Sequence, residues 1–157
     1  MSYCTEQIVL LAGNIYTGIG APTSQSVAYV SGWVTSSGAL GDINNRLGTS
    51  YYLSGTSPCI AGEFGPQEGQ IMTLIYQRDY YFTEARRVLA GGGTFWTSMA
   101  DGDTRLSRES ATKVAREYRE LSKDMDHELR LAIHDWKLNH SLTVSVNASP
   151  LASWPTP

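Results

Sequence analysis

The sequence predicts a mainly α protein: a small helical bundle with a β-hairpin between the last two helices, long loops, and extended N- and C-terminal arms. Three observations carry that prediction. Residues 68–90 and 110–138 repeat apolar side chains at helical spacing. Between them lie a Gly91-Gly92-Gly93 stop and the turn Asp101-Gly102-Asp103, where Asp-Gly supplies the positive φ of a tight hairpin. Both ends are punctuated by glycine or proline, which oppose regular structure there. A chain of 157 residues is one domain's worth and long enough to bury a core.

Taken in order, residues 1–23 read as an N-terminal arm, set off by the glycine-rich stretch 13–22. The helical domain spans 24–140. Ser24 or Ser26 caps its first helix, with Val27, Val30 and Val34 on one side. Gly38 and Gly41 interrupt this helix, Leu40, Ile43 and Leu47 continue its apolar stripe, and Gly48 stops it. Residues 49–67 read as a loop with strand-like Tyr51 and Tyr52, broken by Pro58, Gly62, Gly65 and Pro66.

The helix over 68–90 carries Ile71, Leu74, Ile75, Arg78, Phe82, Ala85 and Leu89 along one stripe. After the turn, Thr104, Arg105 and Leu106 form the return strand, and Ser107 or Ser110 caps the next helix. That helix, 110–138, aligns Val114, Tyr118, Leu121, Met125, Leu129, Ala132 and Trp136. The two long helices are expected antiparallel, with Leu74, Phe82, Leu121 and Leu129 in a shared core. From Ser141 the pattern alternates. Leu142, Val144 and Val146 face one way in an extended chain, and Thr143 and Ser145 the other. Pro150, Pro155 and Pro157 exclude regular structure beyond. Residues 141–157 therefore read as an extended docking tail, with Leu142, Val144, Val146, Leu151 and Trp154 as its contact residues.

Charge is unevenly spread. Residues 1–60 hold only Glu6, Asp42 and Arg46, whereas 101–140 hold 17 of the 27 charged side chains. An almost uncharged front third makes a poor isolated surface and suits burial against other subunits. The net charge of −3 argues against general nucleic-acid binding and against a polybasic membrane anchor. No apolar run reaches transmembrane length. Residues 8–12 are apolar but follow Glu6 rather than a basic region, so a signal peptide is not expected. Cys4 and Cys59 lack close spacing and read as free thiols of a reducing cytoplasm.

The chemistry-bearing residues assemble no catalytic set. Asp101 and Asp103 could open a calcium loop, but Thr112 stands where its closing Glu is required. His127 and His134 lie seven apart, beside Glu128 and Asp135, without the i, i+4 spacing of a helical zinc pair. Gly18-Ile19-Gly20 and the triple glycine lack the Lys-Ser/Thr that a phosphate loop needs. Arg86-Arg87 suits a solvated face. No metal, cofactor or catalytic residue is assigned.

The order of motifs resembles one known family. The segment from Trp96 through the Asp101-Gly102-Asp103 turn leads into Lys113-Val114-Ala115-Arg116-Glu117-Tyr118. Upstream are Leu40-Gly41-Asp42-Ile43-Asn44-Asn45-Arg46-Leu47, then Thr49-Ser50 with an aromatic-glycine loop, and the helix from Ile71 to Arg87. From about Ser26 to Lys137 this is similar to the head-to-tail connector (adaptor, neck) proteins of tailed bacteriophages. The individual motifs are degenerate, and the specificity lies in their order. The resemblance implies a structural virion protein of the neck, made in the host cytoplasm, with no enzyme activity and no cofactor. It implies a homo-oligomeric ring, dodecameric to follow a twelve-fold portal, bound to the portal protein and to a tail or tail-completion protein. DNA passes through as cargo only, and no membrane is involved. It also implies a C-terminal segment docked into the portal, for which residues 142–154 are suited. Two other classes compete. One is a soluble helical adaptor or regulator that binds a cellular partner through its Trp-containing tail. The other is a small hydrolase built from Asp101, Asp103, His127 and His134.

Overall fold

A computed structural model describes residues 3–55, 58–91, 95–96, 108–109 and 111–146. The elements run α1 (Thr5–Gly18), α2 (Val27–Val34), α3 (Ser37–Leu47), β1 (Tyr52–Ser54), β2 (Cys59–Ala61), α4 (Pro66–Gly91), β3 (Phe95–Trp96), β4 (Arg108–Glu109) and α5 (Ala111–Val146). The protein is mainly helical, with a small antiparallel hairpin between its last two helices.

The N-terminal stretch is a helix rather than an extended arm. Gln7 accepts the backbone N–H of Cys4 at 2.8 Å, which satisfies one donor at the helix start. Ile8, Leu11, Ala12 and Ile15 recur at i, i+3, i+4 and i+7 and are all buried. α1 packs on α2 and α4 with that stripe. The glycines at 13 and 18 lie within the helix, where they weaken but do not break it.

α2 and α3 are two helices, and the break falls at Thr35–Ser36 instead of at the glycines. Ser26 caps α2 by accepting the Tyr29 N–H at 3.2 Å, and Ser36 caps α3 through Ala39 in the same way. Gly38 and Gly41 sit inside α3. Gly48 ends it in the left-handed region, φ +74°, where a side chain would be strained. The following stretch forms a second hairpin, β1 against β2, with Leu53 opposite Ile60. A further bridge joins Tyr3 to Ile60, whose N–H groups each donate to the other's carbonyl.

The two cysteines are joined, contrary to the expectation of free thiols. Cys4 and Cys59 form a disulfide across 55 positions. The Tyr3–Ile60 bridge beside them brings the start of α1 onto β2 and sets the two thiols together.

α4 and α5 run antiparallel. Glu68 meets Trp136, the Arg78 carbonyl accepts from Ser122 at 3.1 Å, and Tyr81 stacks on Tyr118 with centroids 6.3 Å apart. The first half of α4 is buried on several sides, by α1, α3 and α5, and contributes Ile71, Met72, Leu74, Ile75 and Tyr76 to the core. Leu129 and Trp136 of α5 join the same cluster.

Two of the four expected core residues are not in it. Leu74 and Leu129 are buried, at 6% and 1% exposure, but Phe82 is 48% and Leu121 41% exposed. Beyond Tyr76, α4 leaves the α1–α3 cluster, its covered stripe narrows to Glu84, Ala85 and Val88, and Phe82 turns out under the Arg86 guanidinium, 4.9 Å above its ring. On α5 the seam follows Ala115, Ser122, Leu129 and Trp136, a seven-residue repeat. The small residues Ala115 and Ser122 let the helices approach closely, and Leu121 falls one step outside that line.

The expected turn at Asp101, Gly102 and Asp103, the return strand at 104–106 and the caps Ser107 and Ser110 lie outside the described residues. The described return strand is Arg108–Glu109, pairing Trp96 with Arg108 and Phe95 with Glu109. α5 continues through Leu142, Val144 and Val146, so these three are helical and not part of an extended strand. A helix does not alternate side chains between two faces, so the sheet-edge geometry expected for them does not hold. Leu151 and Trp154 lie outside the described residues.

Candidate functional site

A polar junction in the core is built around Glu68. Pro66 opens α4 and Glu68 stands two residues on, in the first turn, where a carboxylate meets free backbone N–H groups. Its Oε2 accepts from the Gly65 N–H at 2.9 Å. Its Oε1 accepts from the Tyr51 hydroxyl at 3.4 Å and from the Trp136 indole N–H. Glu68 is 4% exposed, and a carboxylate at such depth is stable only with donors of this kind.

Asn44 positions Tyr51. Its side-chain oxygen accepts the Tyr51 N–H at 2.7 Å and the Thr49 hydroxyl at 3.0 Å, while its amide donates to the Tyr51 carbonyl at 2.8 Å. Gly62, at φ +109°, brings the chain against the Tyr51 ring. A Cβ there would lie 2.7 Å from Cδ1. Burial pushes the Tyr51 phenol well above its usual range, and the Glu68 charge adds to it. Trp136 stacks on His140 at 3.7 Å, and the His140 Nδ1 lies 2.9 Å from the Trp136 carbonyl.

An open cleft of about 240 Å³ adjoins this junction, lined by Thr49, Ser50, Tyr51, Glu63, Trp136 and His140. The donors already placed on Glu68 give it the work of fastening α4, the 49–51 loop and α5 together. Among the described residues, no buried side-chain nitrogen or oxygen lacks a partner, and no three His, Cys, Asp or Glu side chains gather as a metal site. His127, His134, Glu128 and Asp135 are all exposed on α5.

No protein-family model, no curated protein and no solved structure matches this chain.

Large apolar and aromatic side chains stand out on the charge-poor front half: Tyr29 at 63%, Tyr52 at 62%, with Leu10, Val9 and Leu53. A shallow pocket of about 210 Å³ beside Tyr29 is walled by Trp33, Tyr76 and Tyr80, with Gln25 and Glu84 at its rim. Among the described residues, no helix is long and apolar enough to cross a membrane.

Sequence reasoning missed the Tyr51–Glu68–Trp136 junction. One local signal for it exists: the Gly65-Pro66 start with an acid two residues on is the pattern of a helix N-terminus that uses its own carboxylate. The pairing of that carboxylate with Trp136 has no local signal.

Proposed function

We propose that this chain is a structural subunit of a head-to-tail connector ring, placed between a portal protein and a tail or tail-completion protein of a tailed bacteriophage. The observation that carries this reading is the exposure of Tyr29, Tyr52 and Leu53 on a segment, 24–66, with very few charges. Obligate interfaces bury apolar surface of that kind and exclude charge. The bundle with a hairpin between its two longest helices agrees with what the motif order implies. The net charge of −3 suits a lumen through which DNA slides without being held.

The test is co-expression of the full chain with the portal protein encoded in the same genome, followed by size measurement and negative-stain imaging. A complex carrying a ring of this chain on the portal is expected. A chain ending at Val146 is expected to keep its helices but attach more weakly, because it lacks Leu151 and Trp154. Absence of any complex between the full chain and the portal overturns the connector reading.

A further inference from the structure

The outward side of α5 is electrically divided. At 3.6 residues per turn, residues seven apart fall almost on one line along a helix. The buried line is Ala115, Ser122, Leu129 and Trp136. One residue further on, about 100° around the helix, every position of the next line is a cation: Arg116, Lys123, Arg130 and Lys137. The opposite flank holds the acids Glu117, Asp124, Glu128 and Asp135, interleaved with the half-exposed Leu121, Leu131 and Leu138.

This division does not serve the helix itself. Arg116 pairs with Glu120 at 3.7 Å and Arg130 with Asp126 at 2.7 Å. Among the described residues, Lys123 and Lys137 make no ion pair, nor do Glu117, Asp124, Glu128 and Asp135. Glu120–Asp124 and Asp124–Glu128 are like charges four apart, which destabilise an isolated helix. A solvated face would intersperse the signs. Apart from Glu120 and Asp126, which border the cationic line and pair with Arg116 and Arg130, this one separates them onto two flanks, with the half-exposed leucines toward the acidic one.

We infer that α5 forms the seam between neighbouring copies of this chain, the cationic flank of one α5 lying against the acidic, leucine-bearing flank of the next. A two-fold dimer through either flank would place like charges against each other, because such an interface uses the same patch twice. Cationic against acidic flank is a heterologous contact, the kind that closes into a ring. The register agrees. Rotation about a ring axis keeps each residue at its own height, so with α5 along the axis a residue meets neighbours of nearly its own number. Arg116 then stands opposite Glu117 of the next copy, Lys123 opposite Asp124, Arg130 opposite Glu128 and Lys137 opposite Asp135. The largest offset is two residues, about 3 Å at the helical rise, within the reach of a lysine or arginine. The aliphatic stems of those cations cover Leu121, Leu131 and Leu138. This deepens the connector reading and rests on it only for the closed, rotational arrangement.

The experiment is a charge exchange at residues that make no ion pair among the described residues. Lys123→Glu with Lys137→Glu removes the net charge of the cationic flank and sets like charges opposite Asp124 and Asp135 of the next copy, and Asp124→Lys with Asp135→Lys does the same to the acidic flank opposite Lys123 and Lys137. Sedimentation velocity in low salt is expected to show the unaltered chain assembled, with its size falling as salt rises. Each exchanged chain alone should be monomeric with unchanged helical circular dichroism. An equimolar mixture of the two should reassemble, as should a chain carrying all four exchanges. If the exchanged chains assemble like the original, if the mixture stays apart, or if the original is monomeric at its highest soluble concentration, the seam is overturned. Portal binding is decided separately. An assembled chain that ignores the portal defeats the connector reading and leaves the seam intact.

Discussion

Trp136 donates its indole N–H to the carboxylate of Glu68, 68 positions earlier in the chain, and both side chains are buried. The bond ties the C-terminal half of α5 to the first turn of α4, and Tyr51 adds the loop after α3 to the same acceptor. Glu68→Ala leaves three donors without it and should cost roughly 2–5 kcal/mol. Urea unfolding followed by tryptophan fluorescence measures this. Glu68→Gln keeps an acceptor oxygen and should cost less. A loss from Glu68→Ala below about 1 kcal/mol would show that the junction is not a fastening point.

The disulfide between Cys4 and Cys59 closes a long loop that contains α1, α2 and α3. Restricting the unfolded chain over such a loop is worth about 2–4 kcal/mol. Cys4→Ser with Cys59→Ser, or reductant added to the unaltered chain, should lower the urea midpoint by a matching amount. Equal midpoints with and without reductant would contradict the pairing.

Leu129 and Leu121 lie in the same helix but face different surroundings. Leu129→Ala should cost about 2–5 kcal/mol, since the side chain is 1% exposed and leaves a cavity. Leu121→Ala, at 41% exposure, should cost under about 1 kcal/mol in the separated chain. Comparable losses at both positions would mean that the seam of α5 does not follow the line from Ala115 to Trp136.

Alkaline pH should destabilise the fold through buried phenols. Burial, with the nearby Tyr29, pushes Tyr76 from its ordinary 10.0 up to about 12, and Tyr51 is also raised. A pKa raised by folding means that the folded state holds its proton more tightly. The stabilisation is whole below pH 10 and is lost as pH climbs toward 12 for Tyr76. Urea midpoints taken across this range should fall, and Tyr76→Phe should flatten the fall. A midpoint independent of pH in that window would contradict the burial of both rings.

Much of the helical framework was legible because its signals act within one or two turns. The stripes of α4 and α5, the Ser26 cap and the Gly48 stop depend on neighbours three or four residues away, and each stands in the sequence as a pattern. A hairpin between α4 and α5 was expected from the glycines and the Asp-Gly pair, and the described pairing of Phe95–Trp96 with Arg108–Glu109 gives one there. The glycines at 13 and 18 hid α1, although Ile8, Leu11, Ala12 and Ile15 carry its period. The strand pattern over 142–146 misled because alternation there competes with propagation of a helix already 30 residues long at His140.

What the sequence by itself determined is that α4 and α5 are helices with apolar stripes, that Ser26 can start a helix and that Gly48 stops one. The tertiary structure alone decided which residue of each stripe meets the partner helix. It placed Ser122 and not Leu121 at the α4 contact, joined Cys4 to Cys59, and gathered Tyr51, Glu68 and Trp136 on one carboxylate. The physical reason is range. Backbone preference and periodicity are local quantities, whereas the phase of a helix against its neighbour and the company of a buried charge depend on packing between segments far apart in the chain.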